Sequence, residues 1–370
     1  MTEILVNRPG EVWIEDASET GMKCIRTPQI DDTLLQRLAE QVARLSHQGI
    51  NREHPLLSAT LPDGARIQLC GPPATRRHWA MAIRRHRLVD LTLDAYDRGP
   101  LAAAQPNRTI DAQKEPIAYL REAIKDKRTI LVAGGTSTGK TTFLNAMLRE
   151  IPAGERVVLV EDTAELRLPS LNGVGLIAVK GELGEAKVSA NDLLQAALRL
   201  RPDRIVLGEL RGTETVSFLR AINTGHPGSF STVHANSPRG ALDQIGLMAM
   251  QSGIGLTRSE TLDYAASVID VVVQLDRIDG KRGIAALAEA RKVAREICAL
   301  PAEAVAITRK LIRLPPEDMT RRIDQEGHLF GERMRSKEAI AAFKARSAAS
   351  SVHKVFPSYA NPTGLDPGMR

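Results

Sequence analysis

The residues with the plainest chemistry sit in one glycine-rich run, GGTSTGKTT, from Gly134 to Thr142. Gly134, Gly139, Lys140 and Thr141 fit the pattern G-x-x-x-x-G-K-[ST], with Gly135, Thr136, Ser137 and Thr138 as the four residues between. Glycines let such a loop turn its backbone N–H groups inward around phosphate oxygens. The apolar run TILVA precedes it and the helical pattern TTFLNAMLRE follows. Strand, loop and helix in that order aim the positive end of a helix at the phosphates. Lys140 then reaches the β and γ phosphates, and Thr141, with Thr142 next to it, offers a hydroxyl to Mg²⁺. The ligand this implies is ATP with Mg²⁺.

Phosphate transfer to water also needs a carboxylate to hold metal or orient the water. RVVLVEDTAEL ends an apolar run at Glu161 and Asp162, and DRIVLGELRG ends another at Glu209. In open α/β sheets, ligands sit at the carboxyl ends of strands, so both acids are candidates, with Glu161 also a candidate Mg²⁺ ligand. Arg199, Arg201 and Arg211 lie near Glu209 in sequence and could each neutralise phosphate charge. TGHPGSFSTVHAN carries His226 and His234. No cysteine or H-x-x-x-H partner accompanies them, which disfavours a metal site. A buried structural pair and a phosphate-sensing segment remain. The second is favoured, with His234 at the end of a strand FSTV and His226 positioning the loop before it.

Several elements must hold these residues. TILVA, VVLVE, RIVLGE and VVVQL are short, continuously apolar and β-branched, as strands buried on both faces are. Helical runs separate them. One is SANDLLQAALRLR, where Ser189 is a candidate N-cap with Asp192 three residues on. This alternation predicts an α/β fold with a mainly parallel sheet over residues 116–284. Residues 1–96 read as a smaller α+β domain. ILVNRPGEVWIE and LLSATLPDGARIQLCG are hairpin patterns. A helix from Asp32 carries a cap at Asp31 or Asp32 and a stop at Gly49. Residues 97–115, with two prolines and little periodicity, read as a linker.

Composition narrows the classes. Charged residues are 25% and aromatic residues only 3%, and the net charge is +6. Few aromatics argue against a stacking platform for single-stranded nucleic acid. The basic balance and the segment RRHWAMAIRRHR fit contact with phosphate, nucleic acid or an anionic membrane surface. Cys24, Cys70 and Cys298 are too few and too scattered for a disulfide framework or a Cys-x-x-Cys site. The opening stretch does not read as a secretory signal, and no window reaches the ~18 apolar residues of a membrane span. A soluble protein of the cytosol is the expectation.

With these pieces placed, residues 3–284 resemble the traffic ATPases of type IV secretion and conjugation systems. The resemblance rests on NRPGEVWIE, AIRRH, GGTSTGKTTFLNAML, ERVVLVEDTAEL, LRLRPDRIVLGELRGTET, TGHPGSFSTVHANSP and IDVVVQLDRIDGKR. It implies a RecA-like ATPase domain behind an N-terminal domain, in a homo-hexamer with ATP between the two domains. It also implies Glu161 in an acidic box, Glu209 activating water, and Arg84 reaching the phosphates. The ring would sit peripherally at the cytoplasmic face of the inner membrane with other secretion components and drive pilus assembly and substrate transfer, with nucleic acid not required. The alternatives are a RecA-like ATPase stimulated by nucleic acid and a fusion product impaired in catalysis.

The fusion reading comes from the tail. Residues 286–347 read as amphipathic helices broken by Pro301, Pro315 and Pro316, and SKEAIAAFKARS resembles the C-terminal helices of the enoyl-CoA hydratase/isomerase (crotonase) family. That resemblance gives a helical region over 285–350 with no hydratase site. The last stretch, 351–370, has the composition of a disordered segment.

Overall fold

A computed structural model describes residues 2–16, 21–85, 110–181, 186–253, 255–278 and 281–298. The chain divides into two compact units, Met1–Ala299 and Leu300–Arg370, and every described residue belongs to the first. The crotonase-like helices beyond 298, the 351–370 stretch and most of the expected linker lie outside the described residues.

The first domain is a six-stranded antiparallel sheet in the order β3-β2-β1-β6-β5-β4. Its strands are β1 (Glu3–Val6), β2 (Gly10–Glu15), β3 (Met22–Thr27), β4 (Leu56–Thr60), β5 (Arg66–Cys70) and β6 (Ala80–Arg84). Helix α1 (Asp32–Leu45) buries Leu35, Ala39 and Val42 against Val6, Leu57, Ile67 and Leu69 of the sheet. Asp31 is its cap, accepting from the backbone N–H of Leu34 at 2.7 Å. The helix stops earlier than Gly49. His47 takes the left-handed turn at φ 53, after Ser46 closes the last turn on the Val42 carbonyl. Both expected hairpins form, with Gly10 and Gly64 at positive φ in their turns.

The second domain is a seven-stranded sheet, β15-β14-β7-β13-β12-β8-β9. Strands β7 (Ile130–Gly134), β8 (Val157–Glu161), β9 (Gly173–Ile177), β12 (Arg204–Leu207), β13 (Phe230–Val233) and β14 (Val271–Ile278) are parallel, and β15 (Lys281–Glu289) is an antiparallel edge. A small ribbon of β10 (Val179–Lys180) and β11 (Lys187–Val188) stands apart. Helices α2 (Pro116–Lys125), α3 (Lys140–Arg149), α4 (Ala190–Arg199), α5 (Glu214–Asn223), α6 (Pro238–Gln251) and α7 (Arg258–Val268) pack around the sheet. Helix α4 starts on the capping box expected at Ser189 and Asp192.

The sequence boundary at 284 falls inside β15. The strand runs on to Glu289, and helix α8 (Ala290–Cys298) buries Ala290, Val293, Ala294 and Ile297 in the main core. That i, i+3, i+4, i+7 spacing is an ordinary core-facing stripe. Residues 285–298 are thus part of the ATPase unit and not of an appended tail.

The two domains meet along β9. Thr75 bridges Leu176 in antiparallel fashion, and the Ile177 N–H donates to the Ala74 carbonyl at 2.9 Å. Arg201 pairs with Glu15 of the first domain. Arg156, fully buried, donates to Asn7 and Asn172 at 2.6 Å each and to the Leu200 carbonyl at 2.8 Å. Burial pulls the Arg156 guanidinium below its ordinary range, and the nearby Arg201 charge adds to the fall.

Candidate nucleotide site

The glycine-rich loop sits where the strand-loop-helix pattern places it. β7 ends at Gly134, residues 135–139 turn, and α3 begins at Lys140. Ser137 (φ 62) and Gly139 (φ 90) both take left-handed backbone, which folds the loop back on itself. A Cβ at Gly134 would lie 2.4 Å from the Thr138 Oγ1, so only glycine fits there. Thr138 locks the turn by donating to the Gly135 carbonyl at 2.9 Å. No side chain caps α3, which leaves its first N–H groups to an external acceptor.

A cavity of about 450 Å³ opens over this loop. Gly135 through Thr142 form one wall, and the ends of β8, β12 and β13 bring Glu161, Glu209 and His234 to the other. Gly134 stands just behind, its carbonyl accepting from the Lys140 Nζ at 2.9 Å. Lys140 also donates to the Gly135 carbonyl at 3.1 Å and lies 3.3 Å from the His234 Nδ1. The other His234 nitrogen, Nε2, is 2.8 Å from the Glu209 Oε1. Arg211 joins the Glu209 Oε2 at 2.5 Å and the Asp162 Oδ2 at 2.7 Å. A relay of polar contacts therefore spans the cavity: lysine, histidine, glutamate, arginine, aspartate. Burial lowers the Lys140 pKa from its ordinary value, against the pull of Glu209, and Arg211 adds to the lowering.

Glu161 behaves differently from Glu209. It is buried, and its Oε1 accepts from the backbone N–H groups of Glu165 and Leu166 at 2.9 and 2.7 Å. Its Oε2 pairs with Arg76 of the first domain. Both oxygens are thus engaged, and holding a metal would mean releasing Arg76. Among the described residues no group of three His, Cys, Asp or Glu side chains is arranged to hold a metal ion. Thr141, the hydroxyl residue after Lys140, lines the cavity.

Other expected residues lie elsewhere. Arg84 is exposed and sits 3.2 Å from Glu3 at the end of β6, outside the cavity. Arg201 is committed to Glu15 and Asp203, and Arg199 ends α4 away from the cavity. His226 lies after α5, its Nδ1 2.9 Å from the Ala221 carbonyl, and holds the loop before β13. Two arginines were missed by sequence reasoning. Arg76 reaches Glu161 from 85 positions away. Arg282 crosses the loop, its Cδ 2.9 Å from where a Gly139 Cβ would be. Adjoining Arg282 is an apolar recess of about 490 Å³ with Ile117, Phe143 and Ile284 in its wall.

The family described as Type II/IV secretion system protein matches residues 1–299. A type IV secretion system protein VirB11 of Bartonella henselae is 36% identical over 305 residues, covering 75% of this chain and 85% of its own length. The type IV secretion system protein PtlH of Bordetella pertussis is 39% identical over 304 residues, covering 76% and 87%. The crystal structure of the VirB11 ATPase from the Brucella suis type IV secretion system, in complex with sulphate, superposes with a TM-score of 0.72 at 33% identity, covering 80% of this chain and 94% of its own. A phosphate loop, strand-end acids and match over 299 residues lead to one conclusion: the chain belongs to the type II/IV secretion system protein family, among its type IV secretion ATPases.

Proposed function

We propose that the cavity over Gly135–Thr142 binds ATP and Mg²⁺ and hydrolyses the γ phosphate, in a homo-hexamer that powers a type IV secretion system. The observation that carries this reading is the relay from Lys140 through His234 to Glu209 within one cavity. The phosphate-loop amides and Lys140 take the β and γ phosphates, and the loop-side recess of Ile117, Phe143 and Ile284 takes the base. Glu209 accepts a proton from the attacking water, and His234 connects that carboxylate to the phosphate-binding lysine. The Thr141 hydroxyl would help hold Mg²⁺, which would supply charge neutralisation. Arg211 and Arg282, both lining the cavity, add positive charge where negative charge develops.

Among the described residues no helix is long and apolar enough to cross a membrane. The likeness to type IV secretion proteins supports a ring placed peripherally, at the cytoplasmic face of the inner membrane, against secretion components. The test is ATP turnover of the full chain beside Lys140→Ala and Glu209→Gln. Each substitution is expected to lower kcat by about 10²–10³-fold. Turnover unchanged by Lys140→Ala would overturn the site. Native mass measurement with ATP and Mg²⁺ tests the hexamer, and a persistent monomer would refute it.

A further inference from the structure

A second cavity, of about 670 Å³, lies where the first domain meets β9 and the loop before it. Arg8, Arg76, Arg77 and His78 line it, and no Asp or Glu does. Some of that charge is balanced from outside the wall. Arg8 pairs with Glu11 at 3.0 Å, His78 with Asp32 at 2.6 Å, and Arg76 with Glu161. Arg77 is exposed and has no ion-pair partner among the described residues.

Two buried polar atoms at this cavity also lack a partner. One is the Thr75 Oγ1, on a residue only 5% exposed, and the other is the Arg76 Nε. Unsatisfied buried donors cost free energy unless a ligand supplies the acceptor. Gly175 lets the Arg76 side chain pack directly on the strand, since a Cβ there would lie 2.5 Å from the Arg76 Nε. Trp13, Leu168 and Val174 add an apolar side to the wall.

We propose that this cavity is a second ligand site, separate from the nucleotide site, for a small molecule carrying a phosphate group. Guanidinium N–H donors match phosphate oxygens, and Arg8, Arg76 and Arg77 all line the cavity. The Thr75 hydroxyl supplies a further donor from the buried wall, and the volume falls within the usual range for small-molecule sites. The apolar side takes the organic part of an ester, which free phosphate lacks. Arg76 links the two sites: its guanidinium holds Glu161, and the residue also lines the second cavity. An occupant there competes with Glu161 for Arg76, so its binding and that of nucleotide are reciprocally coupled.

The test uses the full chain with its nucleotide site saturated by ADP and Mg²⁺. Inorganic pyrophosphate and phenyl phosphate are titrated by calorimetry. Saturable binding should persist under ADP and survive in Lys140→Ala. It should weaken by about ten-fold or more in Arg77→Gln and in Thr75→Val. Phenyl phosphate binding more tightly than inorganic pyrophosphate would identify an ester as the natural class, and the reverse order would identify the free anion. Arg77→Gln should retain ATP turnover, which shows that it is folded. If saturating ADP or Lys140→Ala abolishes all anion binding, or Arg77→Gln and Thr75→Val leave it unmoved, the second site does not exist. In those cases the nucleotide site itself stands, because its own test is turnover.

Discussion

At the scale of single residues, the site is a set of polar contacts and ion pairs held at 2.5–3.3 Å, so its members should not substitute for one another. His234→Asn removes the group between Lys140 and Glu209. Steady-state kinetics should then show a fall in kcat of about 10–10²-fold with KM for ATP changed far less. A rise in KM with kcat unchanged would instead place His234 in binding shared by ground and transition states. Lys140 gives a pH signature. Burial holds its folded-state pKa below the unfolded value, so the charged form carries a penalty at every pH below the folded pKa. The penalty is lifted as pH rises from the folded pKa toward the unfolded one. A bound phosphate reverses the shift, so binding at alkaline pH should take up protons. Calorimetry of ADP binding in two buffers of different ionisation heat measures that uptake, and equal apparent heats would contradict it. The phosphate loop was legible from sequence because all its geometry is local. Arg76 was not, because its partner lies 85 positions away and its own surroundings show only a basic cluster. Arg84 drew attention by its motif, yet within one chain its guanidinium stays on Glu3, whose pKa burial raises against the pull of that arginine.

At the scale of elements, glycine marks places where chains nearly touch. Gly228, at φ +77, faces Arg204, and a Cβ there would lie 2.5 Å from the Arg204 Nη1 and 2.9 Å from the Lys127 Cα. Arg204 is fully buried, ion-paired with Glu155 and bonded to the Gly228 and Ile124 carbonyls. Gly228→Ala should therefore destabilise the chain by about 2–4 kcal/mol, read as a lower denaturation midpoint in urea. An unchanged midpoint would show that the loop yields. The buried parallel strands were readable as apolar β-branched runs, but GVGLI of β9 was not, since two glycines dilute the signal. The end of the sheet was misread for a different reason. An amphipathic stripe looks the same whether it packs on its own domain or in an appended one, and only contact with the core decides between them. Truncation after residue 284 should accordingly cut β15, remove α8 and leave an insoluble or molten product. Truncation after residue 299 should keep a cooperative thermal transition.

At the scale of the whole molecule, the fold class and the order of its two domains followed from alternation and hairpin patterns, while the joint between them was invisible. That joint depends on residues far apart in sequence. Arg156 of the ATPase domain bonds Asn7 of the first, 149 positions away. Arg156→Leu leaves Asn7 and Asn172 facing an apolar side chain. The thermal midpoint should fall, by the equivalent of about 3–5 kcal/mol. A single transition that merely shifts down would show the domains unfolding together, and two separate transitions would show the joint broken.

The meeting of Thr75 with Leu176 has one more consequence. β9 is the outer strand of a largely parallel sheet, and its far side would otherwise present unpaired N–H and C=O groups. Bare strand edges of this kind recruit other strands. By laying residues 74–76 along that edge, the first domain acts as its chaperone within the same chain. Expressed without residues 1–85, the ATPase domain should then self-associate through β9 in a concentration-dependent way, and a charge placed on the outer strand should restore it to single molecules.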